Sequence, residues 1–541
     1  MTDWNLADCL DTIAAIRGDR PAIIQGSNTV SWQSFENNAT RIADWFSRCG
    51  VSAYDQVALY TYNHIAYLEA SYGCLKASFV PVNINYRYKE EELLYLFNNS
   101  DAQAVVIHSD FLSQFRVILP KLPKIRAVLV LDGEGTSLDD WPGVHCRHYD
   151  EVLAEEPGEP LKSGRSGDDM IFIYTGGTTG MPKGVMWRQK DLYQTLAGGT
   201  LAPPPTSPEL FRQFITDDPN PLKVLILPPL MHGTAFFSSI VALLAGGTVV
   251  LSSNYTSFDA GEVWSLVEQQ QPNALSIVGD TFSMPLLNEL RSKSYDISSL
   301  EFIASAGALW SNKVKAGLLE YHSGLKLFDG LGSSEAHNIG TSITTADNID
   351  DPIPRFSFGS NTLLVSEDMK PLDIVPGAKG MIAVGGARPV GYYKDTVKSD
   401  QTFIIIDGRN CTLSGDWAEV NEDGESFTLL GRGSVCINTG GEKVFPEEVE
   451  GALKQYEGIV DVVVVGLPDE RWGEIIVGVV STEPEIVVEP ASLIAFVKGK
   501  LANYKSPKHI VILPDIYRSP AGKADYAAVK KLAAEALEVK L

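Results

Sequence analysis

Short apolar runs alternate with helix-compatible stretches along most of the chain, and this rhythm constrains the fold more than any other feature. "QVALYTY", "FVPVNI", "AVVIH" and "AVLVL" read as strands, while "HIAYLEASYGCLKA" and "KEEELLYLFNNS" read as helices. Strand patterns interleaved with helical ones predict α/β layers. The pattern continues through "MIFIYT", "KVLILP", "GTVVLS", "LEFIAS" and "LKLFDG", each followed by a turn rich in Gly, Pro or Ser. From about residue 353 the texture changes to short strands with Gly-containing turns, "NTLLVSEDMKPLDIVPGAKGMIAVGG" and "CTLSGDWAEVNEDGESFTLLGRG", which predict an antiparallel β subdomain over 353–431. After "GRGS" the α/β pattern returns, with "FPEEVEGALKQYEG" and "SLIAFVKGKLANY" as helices and "IVDVVVVGLP" and "HIVILPD" as strands. A boundary near Arg432 to Ser434 therefore divides a large N-terminal domain, 1–431, from a small α+β C-terminal domain, 432–541.

The chain has 541 residues, too many for one ordinary core, and its 44% apolar and 21% charged content is that of folded globular domains. A formal charge of -24 disfavours nucleic acid and anionic membranes as partners, since both need a basic field. Any anionic ligand has to be held by local groups. The N-terminal stretch "MTDWNLADCLDTIAAIRG" carries acids where a secretory signal carries bases, and no apolar run reaches the length of a membrane span, so a cytoplasmic chain with no transmembrane segment is expected. Six scattered cysteines, without CxxC pairs or a His cluster nearby, point to reduced thiols rather than to zinc or a disulfide framework.

The stretch "YTGGTTGMPKGVMW", Tyr174 to Trp187, follows the strand-like "MIFIY" and offers bare backbone and hydroxyls to phosphate oxygens. It fits neither GxxxxGK[ST], because Gly184 follows Lys183, nor GxGxxG. Taken alone it reads as a ligand-free surface turn, and only other motifs can overturn that. Three further motifs accompany it. "FDGLGSSEAHN" carries Ser333, Ser334 and Glu335, either an acid beside hydroxyls able to hold Mg²⁺ against a triphosphate or a plain helix N-cap. "LSGDWAEV" places Asp416 after a Gly turn, where it either accepts from ribose hydroxyls or merely shapes the turn. "RSPAGKADY" sets Lys523 on a turn before the terminal helix, a position that by itself is only solvated surface.

In this order and spacing the motifs resemble those of the adenylate-forming superfamily of acyl-CoA synthetases, peptide-synthetase adenylation domains and beetle luciferases. The likeness runs from "YDQVALYTYNHIAYLEA" to "SPAGKADY", nearly the whole chain, and is strongest toward a bacterial branch that ligates fatty, branched or sterol-derived acids. It implies that Thr175, Gly176, Gly177, Thr178, Thr179 and Lys183 grip the β- and γ-phosphates of ATP. Ser334 would face the α-phosphate and Glu335 would help hold Mg²⁺. Asp416 and Arg432 would reach the ribose, while Gly307 in "GALW", Asp329, Gly330 and Leu331 would line the nucleotide and acyl pocket. Lys523 would bridge the carboxylate and the α-phosphate, and His232 would face the substrate carboxylate, unless it only finishes a helix terminus. Gly440 and Gly441 in "INTGGEKVFP" would line a tunnel for the pantetheine arm of coenzyme A once the C-terminal domain has turned.

Physically, a carboxylate is a weak nucleophile repelled by polyphosphate, so such a site needs in-line positioning and positive charge at the α-phosphorus. The chain departs from the family pattern in two places. Ser434 stands where an Asp or Lys usually serves as pivot, and Leu331 stands where a Tyr often stacks on adenine. "MHGTAFFSSIVALLAGG" contains no acid to pair an ammonium, which disfavours an amino-acid substrate, while Phe236, Phe237, Phe282 and Met284 suit an apolar pocket or plain core. The expectation is an ATP- and Mg²⁺-dependent carboxylic acid:CoA ligase. Transfer to an amine or carrier protein, luciferase-like oxygenation and idle ligand binding are its rivals. The sequence leaves open the oligomeric state, a homodimer included, and offers only Lys500, Lys505 and Lys508 for the nucleotide end of CoA.

Overall fold

The parallel strands explain why the apolar runs are so continuous. "AVLVL", Ala127–Leu131, is buried at every position because helices cover both faces of its sheet. A computed structural model describes residues 4–133, 135–138, 141–156, 164–177, 180–197, 203–308, 310–349, 354–432, 437–439, 442–469, 472–484, 486–501, 503–516, 518 and 524–539. The chain divides into two compact units. The first comprises Met1–Asn338, Ile343–Asp350 and Gly386–Ile404, and the second Ile339–Ser342, Asp351–Gly385 and Ile405–Leu541.

The first unit contains two sheets. One runs Gly391–Tyr392, Gly180–Arg188, Met170–Gly177, Val80–Asn83, Gln56–Tyr60, Ala102–His108, Ala127–Leu131, His145–His148. Its strands from Val80–Asn83 outward are parallel, and Met170–Gly177 turns back on Gly180–Arg188 as an antiparallel hairpin. The other has Lys326–Leu331, Phe302–Ala306, Ala274–Ile277, Lys223–Ile226, Thr248–Leu251 and Pro21–Gln25 in parallel, closed by the antiparallel Asn28–Ser31. The helix Ile65–Lys76 is buried along its whole length, which is why "IAYLEASYGCLK" shows no polar face. Gly73 allows it to touch the helix Trp32–Arg48, since a Cβ there would lie 2.7 Å from the Ala39 carbonyl oxygen. Lys76, also buried, is neutralised by Asp11 at 2.7 Å and Glu36 at 2.6 Å.

In the second unit the strands Thr362–Val365, Lys379–Gly385, Arg409–Val420, Ser426–Arg432 and Phe356–Phe358 pair antiparallel in that order. These are the β subdomain expected from the turn-rich sequence. The C-terminal α+β part is built on Ile459–Asp469 and Gly473–Thr482, with His509–Ile512 parallel to the latter. Val462 and Val464 face the helices Pro446–Leu453 and Pro490–Lys500, whereas Val463 and Val465 face Tyr526–Ala536. That alternation follows from the two-residue period of a strand with helices on both sides. The strand Gly473–Thr482 is absent from the sequence reading, although it pairs with both Ile459–Asp469 and His509–Ile512, which flank it in the chain. Among the described residues no helix is long and apolar enough to cross a membrane. The five described cysteines are all free thiols.

Candidate functional site

Met170–Gly177 enters the site as a buried strand and leaves it as bare glycine backbone. Tyr174 is fixed at the turning point: its phenol donates to Asn99 Oδ1 at 2.6 Å, and its ring lies over Gly184. A Cβ at position 184 would sit 2.7 Å from that ring, so glycine is required there. The hairpin register then sets Thr175 opposite Lys183 and Gly177 opposite Gly180. Thr178 and Thr179 lie outside the described residues. Lys183 Nζ meets Asp395 Oδ2 at 2.7 Å and stands 5.7 Å from the Tyr392 ring centre. Asp395 also accepts from the Lys398 backbone N–H at 3.0 Å, capping the helix Thr396–Thr402. Lys183 is the main reason that the Asp395 carboxyl lies below its ordinary pKa.

Ser334 and Glu335 follow the strand Lys326–Leu331 in a turn closed by Ser333, whose hydroxyl accepts from the N–H groups of Glu335 and Ala336 at 3.2 Å. No helix opens here; the chain runs on to the strand Gly340–Thr344, so the N-cap alternative is discarded. The buried Trp187 donates from Nε1 to the Ser334 carbonyl at 2.8 Å, tying this turn to the end of the Gly-rich hairpin. Tyr392 donates to Glu335 Oε1 at 2.9 Å. Burial, and then the carboxylate itself, push the Tyr392 phenol well above its ordinary pKa, so it remains a donor at neutral pH. Glu335 is half-buried, and Tyr392 orients its carboxylate.

His232 precedes the helix Gly233–Leu244 as its N-cap residue. At Gly233 a Cβ would fall 3.2 Å from Ser334 Oγ and 3.0 Å from the Phe237 ring, so the helix start abuts the Ser334 turn. Gly307 follows the strand Phe302–Ala306 with φ of +90°, a conformation that favours glycine, and its Cβ position looks onto Thr234 Oγ1 at 3.6 Å. Lys183, Ser334, Glu335, His232 and Gly307 thus all belong to the first unit. Phe236 and Phe237 are buried at the head of the same helix, whereas Phe282 and Met284 pack onto a different core.

Asp329 is committed elsewhere. Its carboxylate meets the buried Lys315 ammonium, which also lies 3.3 Å from Thr344 Oγ1, and burial outweighs the lysine to raise the Asp329 pKa. This pairing argues against a nucleotide contact for Asp329. Gly330 and Leu331 end the same strand, and a Cβ at 330 would meet only ordinary contacts at 3.7 Å or more.

In the second unit Asp416 is buried on the strand Arg409–Val420, its N–H donating to Ser414 Oγ at 3.0 Å. Its cross-strand partner in register is Arg432, which makes the two ribose candidates neighbours on adjacent strands. Ser434, Gly440, Gly441 and Lys523 lie outside the described residues. Lys505 is paired with Glu448, Lys500 donates to Gln455 at 2.8 Å, and Lys508 stands over Trp472 at 5.3 Å.

The sequence reading missed Tyr392, Asp395 and Trp187. Tyr392 and Asp395 come from "GARPVGYYKD", inside the stretch read as β subdomain, yet Gly386–Ile404 joins the first unit and the strand Gly391–Tyr392 pairs with Gly180–Arg188. Two tyrosines and a Lys-Asp pair after a Gly turn were the available signal.

Residues 10–393 match the family of AMP-binding enzymes, and residues 448–523 match the AMP-binding enzyme C-terminal domain. The chain belongs to the AMP-binding enzyme family. This AMP-binding enzyme is 38% identical over 538 residues to a Mycobacterium tuberculosis medium/long-chain-fatty-acid–CoA/3-oxocholest-4-en-26-oate–CoA ligase, covering 97% of the chain and 96% of the relative. It is 35% identical to a Rhodococcus rhodochrous 3-oxocholest-4-en-26-oate–CoA ligase, covering 97% and 95%. Its fold is that of the anthranilate CoA ligase AuaEII solved with anthranoyl-AMP, at TM-score 0.83 and 21% identity over 99% of this chain and 98% of that one. MatB from Rhodopseudomonas palustris, solved with ATP, matches at TM-score 0.79 and 22% identity over 98% and 99%.

ATP, Mg²⁺ and coenzyme A are the cofactors of an acyl-CoA ligase in this family. The residues fit the metal. Glu335 offers a single carboxylate oriented by Tyr392. Mg²⁺ is held in that way where one or two carboxylates share its shell with substrate phosphates and water.

Proposed function

We propose that the AMP-binding enzyme activates an extended apolar carboxylic acid, fatty or sterol-derived, and passes the acyl group to coenzyme A. The observation that carries this reading is the 38% identity, over 97% of the chain, to a ligase named for such acids. The helix Gly233–Leu244 supports it, with buried Phe236 and Phe237 and no acidic residue that could pair an ammonium.

The enzyme is an ATP-dependent, AMP-forming carboxylic acid:CoA ligase. In the first half-reaction a carboxylate oxygen attacks the α-phosphorus while the bond to the β-phosphate breaks and pyrophosphate leaves. Thr175, Gly176, Gly177, Thr178, Thr179 and Lys183 grip the departing phosphates, with Lys183 exchanging Asp395 for phosphate oxygens. His232 faces the substrate carboxylate, Lys523 bridges it to the α-phosphate, and the Ser334 hydroxyl supports that phosphate. Glu335, aimed by Tyr392, holds Mg²⁺, which when bound spreads the phosphate charge. Asp416 and Arg432 hold the ribose; Gly307, Gly330 and Leu331 line the base and acyl end. In the second half-reaction the CoA sulfur bonds to the acyl carbon, AMP leaves with its oxygen, and the thiol proton passes to solvent. The domain 432–541 turns between the two steps and brings Gly440 and Gly441 to the pantetheine arm. The free thiols suit a reducing compartment, here the cytoplasm.

Pyrophosphate and AMP release over a panel of fatty, sterol-derived and aromatic acids, with and without CoA, tests the reading. CoA-dependent turnover with the first two classes is expected, and Lys523→Ala should lower adenylation on the order of 10²-fold. Turnover indifferent to CoA but raised by amines would replace it with an amide ligase.

A further inference from the structure

Where the strand Val80–Asn83 ends, the sheet ladder is continued by a side chain. The backbone pairing with Met170–Gly177 is in register at Val82 and Phe172. Beyond it the Asn83 carboxamide takes over: Oδ1 accepts from the Tyr174 N–H at 2.6 Å, and Nδ2 donates to the Tyr174 carbonyl at 2.9 Å. The same Nδ2 donates to the Met231 carbonyl at 2.6 Å, one residue before His232. Asn83 is buried, as are all three contacts, so both hydrogens of the amide and its oxygen are used where water cannot substitute.

Asn63 provides an internal comparison. Its Nδ2 donates to the Pro228 carbonyl at 2.9 Å and its Oδ1 accepts from the Leu230 N–H at 2.6 Å. Its side chain therefore holds the turn before His232 from the other side, with no bond to the phosphate-loop strand. Of these two asparagines it is Asn83 that bonds to both.

We infer that Asn83 is a positioning residue for adenylation, setting the phosphate-gripping strand at Tyr174 and the carboxylate-facing turn at His232 in one fixed register. In-line attack requires the polyphosphate and the carboxylate to be placed relative to each other, and the Asn83 amide links their holders directly through one side chain. Thioester formation has no such need, because the β- and γ-phosphates have already left. The inference rests on the phosphate and carboxylate roles proposed above.

The test compares Asn83→Asp, Asn83→Ser and Asn63→Ser in the full-length enzyme, each checked for folding by thermal unfolding. Three quantities are read: binding of ATP with Mg²⁺ in the absence of acid, acid-dependent exchange of pyrophosphate into ATP, and thioester formation from a synthetic fatty acyl-adenylate and CoA. Asn83→Asp keeps the acceptor for the Tyr174 N–H but sets lone pairs against two carbonyls, whereas Asn83→Ser leaves room for water. For both, exchange should fall on the order of 10²-fold, the scale of an ångström-sized misplacement, while thioester formation stays within about threefold. ATP binding should weaken by about tenfold, the weight of one good hydrogen bond, and Asn63→Ser should leave it within about twofold. Equal losses in both half-reactions, an Asn63→Ser effect on exchange as large as that of Asn83→Ser, or failure of both Asn83 variants to fold would overturn the inference. Wild-type enzyme that exchanges pyrophosphate but never uses CoA would instead overturn the ligase reading. The Asn83 comparison would survive that result, since exchange and ATP binding need no CoA.

Discussion

Two lysine–aspartate pairs in the first unit share their chemistry and differ in their surroundings. Lys315 and Asp329 have side chains 1% and 12% exposed, against 38% and 31% for Lys183 and Asp395. In the covered pair, burial drives the aspartate pKa upward; in the open pair, the lysine pulls it downward. A buried charge pair cannot exchange partners, because either charge left alone in a poorly polarisable interior is costly. An exposed pair is worth little to stability and exchanges freely with other anions. The open pair at the Gly-rich hairpin can therefore change partners, as the phosphate role proposed for Lys183 requires, and the covered one is a rivet between the strand Lys326–Leu331 and the helix Asn312–Tyr321.

The largest effect is expected from breaking the rivet. Lys315→Met leaves Asp329 buried and unpaired and should lower unfolding free energy by about 3–5 kcal/mol in chemical denaturation, whereas Lys315→Met with Asp329→Leu should recover most of the loss. If the double variant is stable but no longer binds ATP, Asp329 has a ligand role after all.

A smaller stability change and a larger functional one should follow at the open pair. Lys183→Ala should alter unfolding free energy by no more than about 1 kcal/mol, yet weaken ATP binding about tenfold by calorimetry. Asp395→Asn keeps the helix cap, since asparagine caps as well as aspartate, and by freeing Lys183 should tighten ATP binding about threefold.

The smallest effect separates the pairs by sign. Asp395 titrates lower folded than unfolded, so its contribution is full above about pH 4 and is lost as pH falls through the folded value. Asp329 titrates higher folded than unfolded, so its contribution is full below about pH 4 and declines as pH rises toward the folded value. Unfolding free energy measured against pH for Asp395→Asn and Asp329→Asn should differ from wild type with opposite slopes; equal slopes would erase the contrast.

Much of this architecture was legible in the residues. The strands "QVALY", "AVVIH" and "AVLVL" form where their apolar runs stand, because burial on both faces leaves polar residues no position. "GEIIVGVVST" was missed although its β-branched run is as dense, since a run that length fits a buried helix as readily as a strand. The Ser334–Glu335 turn was open to a helix reading because hydroxyl and acid at a strand end favour an N-cap equally. Only the strand pairing beyond it removes that choice.

By itself the sequence determined the layer type, the order of the motifs and the family, because these depend on periodicity, turn chemistry and residue order. Tertiary structure alone decided which charges are free to act. Lys183 and Asp395 are 212 residues apart, and Tyr392 reaches Glu335 across 57. Local pattern cannot encode such partnerships, since they arise only when sheet register sets distant segments side by side. The same holds for Asn83, which reads as the plain end of a strand until Tyr174 and Met231 close around its amide.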